Sequence, residues 1–282
     1  MNESPDQQEV PTARAIPTAP ALEAAPDDVA LPYASSAPDP PRSAALIVSQ
    51  PWRTTVLDLV LACVAFFGVL IGLEYLCGSL FREGPEGPPP GRWVMVAQRG
   101  LLSVWIGLVL YLLLRKRGQP VGGLGLRPDG NVQALLWGLL AYVVMIVYVM
   151  GLGYVVGTFW PEARDGVDRS HEHLLTKLPE MGPAVAVLFS LVVAVSEELF
   201  FRGFVVTRVR CLTRSWTLSV VLSSAVFAGL HLAQGWLAAA LIFGVSVMLG
   251  FWLIWRGNVL VPIVAHTLFD TTTLVYLDEV VR

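Results

Sequence analysis

Several windows of the chain run apolar for roughly 20 residues with at most one or two charges, the length a helix needs to cross about 30 Å of hydrocarbon. These runs are continuous and lack the alternating ten-residue pattern of outer-membrane strands, so helices are implied and a barrel is not. Breaks between the runs set the boundaries. A Gly/Pro-rich stretch at 83–92 reads as a loop, Arg115-Lys116-Arg117 stops a helix, and a Gly-rich turn occupies 118–130. A polar loop covers 161–182, Pro183 stands in a favoured first turn, and Arg208, Arg210 and Arg214 close the helix that follows. The pattern predicts helices at about 54–81, 93–114, 132–160, 183–206, 215–232, 236–255 and 258–277. The expected fold is an all-α polytopic membrane helix bundle of about seven transmembrane helices.

Composition agrees: 55% of the 282 residues are hydrophobic and 15% charged, an apolar surplus too large for one water-soluble core. Charge changes the picture at the N-terminus. Residues 1–50 hold nine prolines, seven acidic and two basic side chains, and no apolar core of a signal peptide. They are expected to form a retained, disordered Pro/Ala-rich tail. Residues 51–131 would then carry the first two membrane helices and 132–282 a bundle bearing the chemistry. No basic patch interleaves with aromatics, so nucleic acid is not an expected partner and the lipid bilayer is. Cys63, Cys77 and Cys211 show no metal spacing and read as packing residues. Tryptophans near span ends (Trp93, Trp160, Trp236, Trp255) fit an interfacial belt, and Gly229, Gly244 and Gly250 fit close helix packing.

Lys and Arg in the short loops set the expected orientation. With the N-terminus cytoplasmic, Arg53, Arg115–Arg117, Arg127, Arg208, Arg210, Arg214 and Arg256 fall inside, while Arg82, Arg92, Arg164, Arg169, Lys177 and Arg282, mixed with acidic residues, fall outside. The C-terminus then lies outside. This makes the expected location an integral multi-pass membrane, the plasma or inner membrane in a bacterium.

Ionisable groups inside a span cost at least about 2.5–3.5 kcal/mol each at the bilayer centre, so they are where chemistry is sought. Asp58, Glu74 and Arg99 lie within a turn or two of helix ends and are expected to reach the interface. Glu197 and Glu198 in SEELFFRG, His231 in FAGLH, and His266 with Asp270 in HTLFD lie deep in three apolar runs. Together they suggest one shared polar site. Glu198 and Arg202 are i and i+4, in the favoured order for an ion pair, while Glu197 is rotated about 100° away and is the candidate base. His231 could share in activating a water, and Asp270 could orient His266 or join it as a ligand. At 1.5 Å per residue Glu197 lies roughly 17 Å from Arg208 and His266 roughly 15 Å from Arg256, but His231 lies roughly 26 Å from Arg214. His231 is thus too deep by about 9 Å unless helices four and five project beyond the membrane or tilt. His171-Glu172-His173 has ligand-like spacing in a charge-rich loop and reads as solvated.

EELFFR, FAGLH and HTLFD, in that order on successive helices, resemble the EExxxR, FxxxH and HxxxN/D motifs of the CPBP family of intramembrane metalloproteases, which includes type II CAAX prenyl endopeptidases and bacteriocin-processing relatives. The resemblance covers about residues 120–280. It implies that Glu197 is the catalytic carboxylate and His231 its partner on the water, with Glu198 and Arg202 completing the first motif. His266 and Asp270 would then stabilise the oxyanion. Asp270 stands where many members have Asn, and an ionised Asp cannot donate a hydrogen bond to an oxyanion. Glu197, His231 and His266 would be the ligand set if a metal is used, zinc being the ion they suit, though a glutamate-and-water mechanism needs none.

The expected activity is an intramembrane endopeptidase acting on a peptide or protein tail, prenylated tails included, reached most easily from the cytosolic side. Two other classes use the same residues: a proton-coupled transporter with a carboxylate–imidazole relay, and a non-catalytic scaffold or immunity protein. Against the transporter stands the absence of an internal repeat.

Overall fold

The computed structural model describes residues 46, 50–81, 92–127, 130–162 and 181–281, all within one compact unit, and the described residues are helical with short connections. Seven helices follow the apolar runs. They are α1 (Trp52–Phe81), α2 (Arg92–Lys116), α3 (Asn131–Phe159), α4 (Pro183–Thr213), α5 (Trp216–Gly229), α6 (Trp236–Arg256) and α7 (Leu260–Val281). α1 to α4 and α6 are long and apolar enough to cross a membrane, while α5 and the apolar part of α7 are shorter. Large apolar side chains such as Val64, Ile71, Leu136, Val147 and Leu188 lie exposed on the helix surfaces, as lipid-facing residues should. The chain is an integral multi-pass membrane protein. The four tryptophans assigned to span ends are all exposed.

Two boundaries depart from expectation, and both matter for the site. α4 does not stop at Val206 but continues to Thr213, with a π-helical stretch over Leu199–Val206 in its middle. α5 ends at Gly229, so His231 sits in the turn before α6 and not inside a helix. Arg214, in the left-handed conformation, and Ser215, whose hydroxyl accepts from Leu218 N, make the α4–α5 corner. Glu197 and His231 are each seventeen residues from Arg214, so the two arms of this hairpin carry them to the same depth, about 25 Å from the corner. The 9 Å mismatch vanishes because Arg208 is an interior residue of α4, 1% exposed, and does not mark the end of the helix.

α7 lies between α3 and α4, α2 packs on α4, and α5 and α6 pair along the π-helical stretch. Close approach is built on small residues: a Cβ at Gly138 would stand 2.6 Å from Cβ of Val264, and one at Gly250 would stand 2.7 Å from Val220. Gly244 is likewise pressed by Tyr148, whereas Gly229 faces open space and is no packing site.

One end of the bundle gathers most of the arginines of the described residues. Gly125 O accepts from Val259 N, joining the α2–α3 connection to the α6–α7 turn, and Arg208 reaches Gln119 beyond α2. Asp58 does not reach an interface as expected; it is fully buried and held by Arg117 at 2.6 Å. Glu74 is hydrogen-bonded by Gln98 at 3.0 Å near the other end. Leu46, in the stretch expected to be tail, is buried with Leu253, Val259 and Ile263. Apart from Gln50, the remainder of the tail lies outside the described residues, as does the 171–173 His-Glu-His sequence.

Candidate active site

Glu197 and Glu198 close the first α-helical part of α4, and the π turn that begins at Leu199 follows directly. Such turns recur at functional sites because they re-aim side chains within one helix. Their two carboxylates have different surroundings. Glu198 is fully buried, its Oε1 2.8 Å from Arg202 Nη1 and 2.7 Å from His266 Nδ1. Arg202 in turn donates to Ser246 Oγ on α6 at 3.0 Å and stacks 4.7 Å over the Phe227 ring of α5. A buried polar chain thus runs Ser246–Arg202–Glu198–His266 across α6, α4 and α7.

Glu197 faces a cavity of about 370 Å³ lined also by His231, His266 and Asp270, with otherwise mainly apolar walls that include Phe189, Val193 and Phe269. Its side chain is 22% exposed against 0% for Glu198, so only the former can meet a bound molecule. Nε2 of His266 lies 3.4 Å from Asp270 Oδ2 and 4.0 Å from Glu197 Oε2.

The two histidines differ in what their nitrogens meet. His231 Nδ1 lies 2.9 Å from the Phe227 carbonyl, which can only accept, so Nδ1 carries the proton and neutral His231 keeps an unprotonated Nε2. His266 meets a carboxylate on each side, an arrangement that a ring bearing both protons satisfies in full and a neutral ring at one nitrogen only. Phe227 sits among them, its ring 4.8 Å from His231 and 6.3 Å from His266.

All six residues singled out in the sequence therefore belong to one neighbourhood, four on the cavity wall and Glu198 and Arg202 behind it. Glu198, from another helix, is the nearer partner of His266; Asp270 is the more distant. Sequence reasoning assigned no role to Ser246 or Phe227. Phe227 was in view as the first residue of FAGLH; Ser246 is a lone hydroxyl in an apolar run and gave no signal. Arg99, expected at the interface, lines this same cavity.

The expected metal set does not assemble. Among the described residues no three His, Cys, Asp or Glu side chains are placed to hold one metal ion. Both nitrogens of His266 are directed at carboxylates of the cluster, and Nδ1 of His231 is held by a main-chain carbonyl.

A curated relative, the uncharacterized protein YpbD of Bacillus subtilis (strain 168), is 33% identical over 86 residues, which are 30% of this chain and 41% of the relative. The chain thus spans about two fifths of the length of that relative. No solved structure matches. Residues 179–272, which run from the start of α4 to beyond Asp270, match the family model described as type II CAAX prenyl endopeptidase Rce1-like. This segment, about one third of the chain, is what resembles the Rce1-like type II CAAX prenyl endopeptidase family, in keeping with the CPBP resemblance of its three motifs.

Proposed function

We propose that this protein is an intramembrane endopeptidase in which Glu197 and His231 activate a water against a peptide carbonyl. The observation that carries the reading is the split between the two glutamates: one reachable from an apolar cavity, the other buried as the support of an imidazole on the same wall. A transport relay or a packing cluster has no need of that division.

In the proposed reaction the water is held between Glu197 and Nε2 of His231. Glu197 removes its proton as the oxygen attacks the carbonyl carbon, and the carbonyl π electrons move to oxygen. His266, fixed through Nδ1 by Glu198, turns Nε2–H toward the oxyanion, a donor placed in advance of the charge it meets. Asp270 as a carboxylate serves as acceptor for that same N–H in the resting site. Collapse of the tetrahedral intermediate breaks the C–N bond, and Glu197 returns its proton to the departing amine. Arg202 and Ser246 touch none of the reacting atoms; they position Glu198.

The apolar walls suit a peptide with apolar side chains, and the family match admits a prenylated tail among the substrates to be tried. The test is proteolysis by the purified protein in liposomes, against a prenylated CAAX peptide and a peptide library. Glu197→Ala and His231→Ala are each expected to lose about 10²–10⁴-fold in rate, the scale of general-base catalysis. Activity is expected to survive chelator. Cleavage unaffected by Glu197→Ala would overturn the assignment.

A further inference from the structure

The bundle has two unlike ends. At one are the α2–α3 connection, the α4–α5 corner and the α6–α7 turn, tied together by the Gly125–Val259 and Arg208–Gln119 hydrogen bonds. This end carries Arg115, Lys116, Arg117, Arg127, Arg208, Arg210, Arg214 and Arg256. At the other are the N-termini of α2 and α4, the α5–α6 turn and the last turns of α7.

The catalytic cavity belongs to the second end. Its floor is His266 and Leu249 at about mid-bundle, and its walls climb through Val193 and Phe189 on α4 to Met95 on α2 and Gln234 in the α5–α6 turn. None of its lining residues lies at the arginine end. Between floor and arginines the bundle is solid: Phe201, Arg202, Phe204, Val206 and Arg208 are each at most 1% exposed. A peptide cannot reach Glu197 from that direction without unpacking the centre of α4.

Short loops rich in Lys and Arg stay on the cytoplasmic side of a membrane. The arginine end is therefore inside, and a substrate expected from the cytosol cannot be reconciled with a cavity that points the other way. We infer that this site takes its substrate from the non-cytoplasmic side: a peptide already moved across the membrane, or the outer segment of another membrane protein. The inference rests on the peptidase reading for what the site does, and on cavity position and charge alone for where it opens.

The test reads access without requiring turnover. In a chain with Cys63, Cys77 and Cys211 replaced by Ala, single cysteines are introduced at Gln234 or Thr273 on the cavity wall, and at Gln133 near the arginine end. Right-side-out vesicles are treated with a membrane-impermeant maleimide. The expected result is labelling of Gln234→Cys and Thr273→Cys in sealed vesicles, lost after prior treatment with a smaller impermeant thiol reagent. Gln133→Cys is expected to label only after permeabilisation. Labelling of Gln133→Cys in sealed vesicles, or of the cavity positions only after permeabilisation, would overturn the inference while leaving the peptidase reading untouched. Absence of proteolysis with the expected labelling would do the reverse.

Discussion

Glu197 and Glu198 are neighbours in the chain and opposites in environment, and stability measurements should separate them. Glu198→Ala leaves the Arg202 guanidinium buried with only Ser246 and an aromatic face for company. Removing one member of a buried pair costs about 3–5 kcal/mol, mostly the penalty of the charge left behind. Glu197 is part-exposed in a cavity and, among the described residues, has no ion-pair partner closer than 4.0 Å. Glu197→Ala should therefore shift stability by no more than about 0.5 kcal/mol, as for an ordinary surface change, while removing activity. Thermal unfolding in detergent checks both, and equal losses of stability would contradict the division of labour. The ion pair itself was legible, because i and i+4 spacing on a helix dictates it. What sits on the far side of Arg202 was not, since no pattern along α4 can announce a serine on α6. Ser246→Ala tests that contact: a buried donor left unsatisfied costs about 1–3 kcal/mol. Ser246→Thr, which keeps the hydroxyl, should recover most of the loss in the same melt.

Among the elements, the hairpin of α4 and α5 carries the site, and its geometry was half visible. The apolar runs locate both helices, but the arginines suggest an end for α4 near Val206 when about two more turns, Thr207–Thr213, follow it. Arg208 is inside because Phe204 lies 4.4 Å beneath its guanidinium and Gln119 and Thr207 accept from it, compensation that comes partly from distant sequence. The π stretch was equally hidden, as LFFRGFVV has the composition of any apolar helix. Where helices meet, small residues decide. Gly138→Ala puts a methyl 2.6 Å from Cβ of Val264, on the α7 face two residues before His266. Overpacking of this kind costs about 1–3 kcal/mol. Val264→Ala, introduced beside it, should restore much of the stability and any activity lost with it. A double variant no better than Gly138→Ala would show that the α3–α7 contact is not the limit.

At the scale of the whole molecule, the matched family segment is α4 to the middle of α7, and α1 and α2 have to be attached to it by means of their own. Apolar packing supplies part of this, with Phe66 of α1 stacked 4.7 Å from Phe200 of α4. In lipid, however, apolar contact alone discriminates little between helix partners, and buried polar contacts give the more specific registration. Those lie at the arginine end: Asp58 of α1 receives Arg117 through three hydrogen bonds of 2.6 to 3.2 Å, and Gln50 binds both Thr55 and Gln119, the residue that accepts from Arg208 of α4. Asp58 read as an interfacial group because its distance from the helix end is all that a sequence displays; its burial depends on α2 and the turn beyond it. A double-mutant cycle on Asp58→Asn and Arg117→Gln should return a coupling of about 1–2 kcal/mol, discounted because the Arg117 side chain is 22% exposed. The cycle should be read by unfolding and, in parallel, by protease cleavage within α1, which the loosened helix should suffer first. A coupling near zero would mean that α1 is held by its aromatic face alone, and then Phe66→Ala, not either charge variant, would be the change that releases it.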